Sequence, residues 1–212
     1  MSNRSILLKI YRRLSKCYGL QHWWPADTPF EVMVGAILTQ NTSWANVEKA
    51  INNLKEANAL NVHALIELSD ENLAKLIRPS GYFNLKTKRL KHFVKWFKTE
   101  GRFNGLKSAD DESLRKRLLE VNGIGPETAD DILLYAFERP VFVIDTYTRR
   151  LLMTLNLISG DESYETLRQF FQSALKPDVG LFKEYHALIV RHAKEKCTQQ
   201  KSCLHCKVES PL

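Results

Sequence analysis

Residues 118–151 read LLEVNGIGPETADDILLYAFERPVFVIDTYTRRL: two segments of helical period, a four-residue turn between them, a β-branched run, and the opening of another helix. The turn is Asn122, Gly123, Ile124 and Gly125. Two glycines flanking one apolar residue allow a tight reversal and let the backbone approach another molecule closely. Pro126 suits the first helical position, where a missing N–H costs nothing. The amides of Gly123, Gly125 and the helix start, Thr128 among it, are then expected to point outward beside a positive helix terminus. That arrangement suits an anion, and a DNA phosphate fits it without sequence preference. A purely structural corner between two helices would use the same turn. VFVI would read as a strand in isolation, but no second convincing strand exists to pair with it, so the pattern predicts an extended buried connection. Asp145, 20 residues beyond Gly125, opens the next helix and is placed to cap it.

Outward from this stretch the chain reads as helices joined by short turns, without repeats or a flexible linker. PFEVMVGAILTQ is apolar nearly all round, as a central core helix would be. Ser43 is expected to cap a segment in which Trp44, Val47, Ile51 and Leu54 mark one buried face. NLKTKRLKHFVKWFKT (84–99) carries six bases and no acid. Leu90, Phe93, Val94 and Phe97 form its apolar stripe, which predicts Lys88, Lys91, Lys95 and Lys98 largely outside. They would form either a solvated face or a phosphate-facing patch. Helices are also expected over 147–157, 163–175 and 179–196. The first residues have apolar positions at helical spacing and no small-residue cleavage site, so they predict a folded helix rather than a signal peptide.

The formal charge of +7 favours polyanionic partners, and 44% hydrophobic residues allow an ordinary core. No apolar run reaches membrane-spanning length, so the protein is expected to be intracellular, in the cytoplasm or nucleoid. Of four cysteines, Cys197, Cys203 and Cys206 crowd near the C-terminus, which suggests metal ligation over a disulfide framework.

Taken with Asp145, the hairpin stretch resembles the helix-hairpin-helix, Gly/Pro-rich–Asp superfamily of base-excision DNA glycosylases, which includes endonuclease III. The similarity runs from about Phe30 to the C-terminus. PFEVMVGAILTQNT corresponds to the family's first core helix and loop, RPSGYFNLKTKRL to its Gly-Tyr/Phe-Asn turn, and IDTYTRR to its catalytic V-D-T-H segment. The resemblance implies an all-α fold of two lobes with a DNA cleft between them. One lobe would be a six-helix segment over 28–139, with the hairpin at about 111–138. The other would join 1–27 to 140–212 and carry the catalytic aspartate.

The chemistry explains the aspartate. Breaking an N-glycosidic bond builds positive charge on the sugar. A fixed carboxylate stabilises that charge and can orient or deprotonate the attacking water. By resemblance Asp145 has this role. Bifunctional members follow the hairpin with a lysine that attacks C1′ as a Schiff-base nucleophile. Here the context is GIGPETA and Glu127 occupies the lysine slot, which predicts a monofunctional enzyme that leaves an abasic site.

An extruded base needs stacking partners. Trp23, Trp24 and Pro25 precede the first core helix, and Trp44 follows Gln40, Asn41 and Thr42. W-W-P and then Q-N-T with an aromatic resembles the 3-methyladenine glycosylase branch, in which Trp23 and Trp44 would sandwich the flipped purine. Gln40 resembles the residue that enters the gap left by that base, with Asn41 beside it. An N-alkylated purine is cationic, leaves without a general acid, and is drawn to aromatic faces. The tail spells C-x5-C-x2-C, whereas the superfamily's [4Fe-4S] loop needs four thiolates and has one more residue in its first gap. Leu212 stands in the fourth slot, so a cluster completed by His205 or Glu209, a zinc site, and a relic loop all remain open. The expected partner is double-stranded DNA containing a damaged base, bound by a monomer. Two other readings are an endonuclease III-like glycosylase/AP lyase for damaged pyrimidines, and a non-catalytic helix-hairpin-helix module.

Overall fold

The computed structural model describes residues 2–196. All its regular structure is helical. In chain order the helices are α1 (Asn3–Tyr18), α2 (Pro29–Leu38), α3 (Trp44–Glu56), α4 (Val62–Glu67), α5 (Asp70–Leu76), α6 (Phe83–Thr99), α7 (Arg102–Leu106), α8 (Asp111–Leu119), α9 (Pro126–Asp131), α10 (Thr146–Thr154), α11 (Tyr164–Ala174) and α12 (Val179–Lys196). A 3₁₀ turn spans Arg78–Ser80, and α9 continues without a break into a wide π turn over Ile132–Ala136. No strand occurs among the described residues, and none of their helices is long and apolar enough to cross a membrane.

The chain forms two compact units, one of residues 26–137 and one of residues 1–25 with 138–212. The first holds α2 to α9, eight helical segments where six were expected; α4, α5 and α7 are each under two turns and too short to show a period. At its centre lies α2. Residues 31–38 are all buried, as the all-round apolarity of this segment requires. Glu31 is tolerated there because Lys55 Nζ lies 2.8 Å from its carboxylate. Around α2 pack α3, α6, α9 and the π turn.

The basic helix α6 corrects one expectation. Lys88, Lys95 and Lys98 are exposed, but Lys91 is buried, as is Lys86. Lys91 Nζ donates to the carbonyls of Ile66, at 2.9 Å, and Leu68, at the C-terminal end of α4. Lys86, 1% exposed, donates to Leu38 O at 2.8 Å and Ser80 O at 2.6 Å, at the end of α2 and in the 3₁₀ turn. Carbonyls at helix ends have no intrahelical donor. Two lysine stems follow the apolar stripe inward and satisfy them, so both side chains are structural.

In the other unit α12 packs against α1 and α10, and α11 against α1. The N-terminal segment is the expected helix, burying Leu7, Ile10 and Leu14. VFVI is the expected extended connection. Val141, Phe142, Val143 and Ile144 are buried without a strand partner; Val141 N donates to Arg139 O at 2.8 Å, and side chains accept the Phe142 and Ile144 amide hydrogens. Phe142 N donates to Gln172 Oε1 at 3.2 Å and Ile144 N to Tyr164 OH at 3.3 Å. Phe142 stacks on Phe171 with centroids 3.8 Å apart and meets Phe182 and Tyr185 edge-on, which fixes the run that delivers Asp145.

Candidate active site

The hairpin joins α8 to α9 within the 26–137 unit. Gly123 takes φ +95°, and a Cβ there would fall inside the Arg89 side chain, so this position needs glycine twice over. Gly125 is the N-cap of α9, with Pro126 at its first position, so no side chain caps the first turn. Among the described residues the Gly123 and Gly125 amides make no backbone hydrogen bond, whereas Ile124 N donates to Val121 O at 3.0 Å. The outward donors are thus the two glycine amides and the uncapped first turn; the Ile124 amide is spent inside the hairpin. Glu127 is exposed on that first turn, and Thr128 behind it is buried. Arg115 and Asp130 brace α8 against α9 by a buried two-pronged ion pair, with Nε–Oδ1 2.6 Å and Nη2–Oδ2 3.3 Å.

Gln40 joins this group. Its Nε2 donates to Gly123 O at 3.0 Å and to Thr128 Oγ1 at 2.9 Å, and its Oε1 accepts from Arg89 Nη1. Asn41 is exposed in left-handed backbone at φ +55°. Trp44 opens α3 and is half-buried; Ser43 holds the N-cap position, but its hydroxyl makes no capping bond. Sequence reading left Tyr82 unassigned. It is 69% exposed in left-handed backbone just before α6, and the Gly-Tyr turn was its only signal.

Asp145 lies in the other unit, at the N-cap of α10. One oxygen accepts from Thr148 N at 2.7 Å, and the other lies 3.4 Å from His186 Nε2 on α12. The residue is 8% exposed. Burial alone would push the carboxyl up, but His186 and the Thr148 amide together hold it below the ordinary carboxylate value, so it is ionised at neutral pH. His186 is 41 residues from Asp145 and nothing local in the sequence marks it.

Trp23 and Trp24 meet edge-on, centroids 6.1 Å apart, in the segment after α1; both are half-buried and Pro25 is exposed. Gln21 anchors that segment to α12, its amide donating to Glu184 at 2.8 Å. Lys194 Nζ sits 5.6 Å from the Trp23 ring centroid and 6.0 Å from that of Tyr147. Partial desolvation lowers the Lys194 amine, against an upward pull from Asp145. The structure therefore gathers Gln40, Gly123 and Thr128 in one unit, and Asp145, His186, Trp23 and Lys194 in the other.

Cys197, Cys203 and Cys206 lie outside the described residues. The remaining cysteine, Cys17, is an exposed residue of α1.

Residues 34–177 match the HhH-GPD superfamily of base excision DNA repair proteins. The chain belongs to that superfamily. A Methanocaldococcus jannaschii protein provisionally named a DNA repair glycosylase is 45% identical over 207 residues, covering 96% of this chain and 94% of its own. Endonuclease III of Sulfolobus acidocaldarius is 27% identical over 176 residues, covering 81% of this chain and 75% of its own. Among solved structures, the H. pylori 3-methyladenine DNA glycosylase bound to 1,N6-ethenoadenine aligns with TM-score 0.77 and 30% identity, over 92% of this chain and 99% of that one. An endonuclease III–DNA complex shares the fold, with TM-score 0.82 at 19% identity, over 99% of this chain and 94% of that one. The superfamily makes this chain a DNA glycosylase of base excision repair.

Proposed function

We propose that the protein, acting as a monomer on double-stranded DNA, hydrolyses the N-glycosidic bond of an N-alkylated purine of the 3-methyladenine type and leaves an abasic site. The observation that carries this is Asp145, a buried carboxylate kept ionised by His186 and Thr148. As the C1′–N bond breaks, its electron pair leaves with the base. A cationic base departs neutral and needs no proton. Charge on the sugar is met by Asp145. The oxygen of a water then bonds to C1′, and its proton passes to that carboxylate or to solvent. Trp23, with Trp24 and Pro25 beside it in its own unit, is a stacking partner for the extruded base, and Trp44 in the other unit is a second. Gly123, Gly125 and the first turn of α9, with Thr128 behind it, hold a phosphate, and Gln40 and Asn41 lie beside the duplex. The 3-methyladenine enzyme's similarity supports the substrate class.

Glu127 stands where bifunctional relatives place a lysine, and a carboxylate cannot form a Schiff base. One observation favours a second reading, a glycosylase/lyase: Lys194, an amine lowered by desolvation and coupled to Asp145, is chemically able to attack C1′. The test is a panel of single-lesion duplexes, each assayed with and without hot alkali and with borohydride. The proposal expects release of the alkylated purine, nicking only after alkali, and no trapped complex. Glu127→Lys should introduce weak trapping. Nicking without alkali, or robust trapping by the unmodified enzyme that Lys194→Met abolishes, would establish the lyase reading.

A further inference from the structure

Gln40 follows the end of α2, and its carboxamide is fully used. Both N–H groups have acceptors, Gly123 O at 3.0 Å and Thr128 Oγ1 at 2.9 Å. The carbonyl oxygen accepts from Arg89, whose stem covers the face of Gly123 where a Cβ would stand. These two acceptors flank the Gly125–Pro126 corner, one on the turn and one on the first turn of α9. A single planar amide therefore bridges the two ends of the segment whose amides face outward. Two backbone bonds accompany it, Ile124 N to Val121 O at 3.0 Å within the turn and Ala129 N to Gly125 O at 2.9 Å at the start of α9. The brace from Arg115 to Asp130 acts further along the two helices.

We propose that Gln40 is a positioning residue that fixes the hairpin's conformation, with Arg89 orienting its amide. A Gln40 amide committed to Gly123 and Thr128 cannot at the same time reach into the gap left by an extruded base. In the free protein its work is therefore on the hairpin. The consequence for DNA rests on the reading that the hairpin amides hold a phosphate; the conformational claim does not.

The test pairs a readout without DNA and one with it. Amide hydrogen exchange of residues 121–128 is measured in the DNA-free full chain, together with affinity for an undamaged duplex and the single-turnover excision rate at saturating damaged duplex. Gln40→Ala and Gln40→Glu both remove the two donors. The second keeps the size and the acceptor for Arg89. Each should speed exchange of the hairpin amides by about tenfold or more, the scale of two lost hydrogen bonds. Duplex affinity should fall about 3- to 10-fold, with a smaller change in the saturated rate. Thr128→Ser keeps the acceptor and should leave hairpin exchange at the natural level, whereas Thr128→Val should speed it in the direction of Gln40→Ala. Faster exchange with unchanged duplex affinity would uphold the positioning role and refute the phosphate reading of the hairpin. Unchanged exchange in both Gln40 variants would overturn the proposal. A slower excision rate alongside unchanged exchange would overturn it too, and would return Gln40 to the gap left by the base.

Discussion

Replacing Asp145 by asparagine and by alanine separates its two duties. Asparagine keeps an oxygen for the Thr148 amide, now 2.7 Å away, and loses the charge. Alanine loses both. Asp and Asn cap helices about equally well, while Ala in that place costs about 1 kcal/mol. Unfolding entropy near 2.1 cal/mol/K per residue gives about 0.45 kcal/mol per kelvin for 212 residues, so the lost cap lowers Tm by about 2 °C. Both variants lose the charge facing His186, so the cap shows in the difference between them: Asp145→Ala should melt about 2 °C below Asp145→Asn. Catalysis should not follow this order. Both variants lack the carboxylate that meets charge on the sugar, an interaction worth about 3 kcal/mol or more of barrier, or roughly 150-fold in rate. Single-turnover excision at saturating DNA, with calorimetric melting of the same preparations, measures both. Duplex affinity should hold or improve, since removing a negative charge cannot weaken attraction to phosphates. An Asp145→Asn enzyme within fivefold of the natural rate would refute the catalytic role and leave a helix cap.

Trp23→Ala and Trp44→Ala should each slow excision of 3-methyladenine by roughly 10- to 100-fold, from a stacking contribution of about 1–3 kcal/mol, with nonspecific duplex affinity nearly intact; unchanged kinetics in both would exclude the pocket. Arg115→Met strands the buried Asp130 carboxylate and should cost about 3–5 kcal/mol, a Tm drop of about 7–11 °C on the scale above; adding Asp130→Leu should recover most of it, and a single variant as stable as the parent would refute the brace. Lys86 is lowered to about 8 by burial and by the Arg89 charge. Below that pH both states keep the proton; between about 8 and 10.5 the unfolded chain binds it and the folded one does not, so stability should rise with pH there by about 2–3 kcal/mol relative to Lys86→Met. Urea unfolding at pH 7, 9 and 10 checks this, and a difference that stays flat would refute it.

What the sequence made legible was local. Gly-Ile-Gly-Pro dictates its own turn, Asp145 caps the helix it opens, and VFVI announces an extended buried run because nothing is available to pair with it. The buried lysines show where such reading stops. On helical period Lys86 and Lys91 are charges on a basic helix. They turn inward because carbonyls 48 and 25 residues away, at Leu38 and Ile66, lack donors. His186 and Gln40 are illegible for the same reason. Their partners are set by tertiary packing, and a lone His or Gln on a helix or loop carries no signal of what it meets.

The ionisation of Asp145 brings these strands together. A carboxylate working among DNA phosphates sits in a negative potential that favours its protonation, and burial pushes in the same direction. An exposed aspartate would be screened from the sugar as well as from the phosphates, so burial is needed for the charge to matter and cannot be relaxed. The chain therefore has to supply opposing interactions that survive desolvation. The Thr148 amide comes with the helix that Asp145 opens, as its capping bond. His186 comes from α12, which the VFVI run and its aromatic neighbours hold in register with α10. The net displacement of Asp145 below the ordinary carboxylate value is what remains after these contributions outweigh burial. Salt that screens DNA phosphates should leave these two contacts nearly untouched, because Thr148 and His186 act on the carboxylate at 2.7 and 3.4 Å.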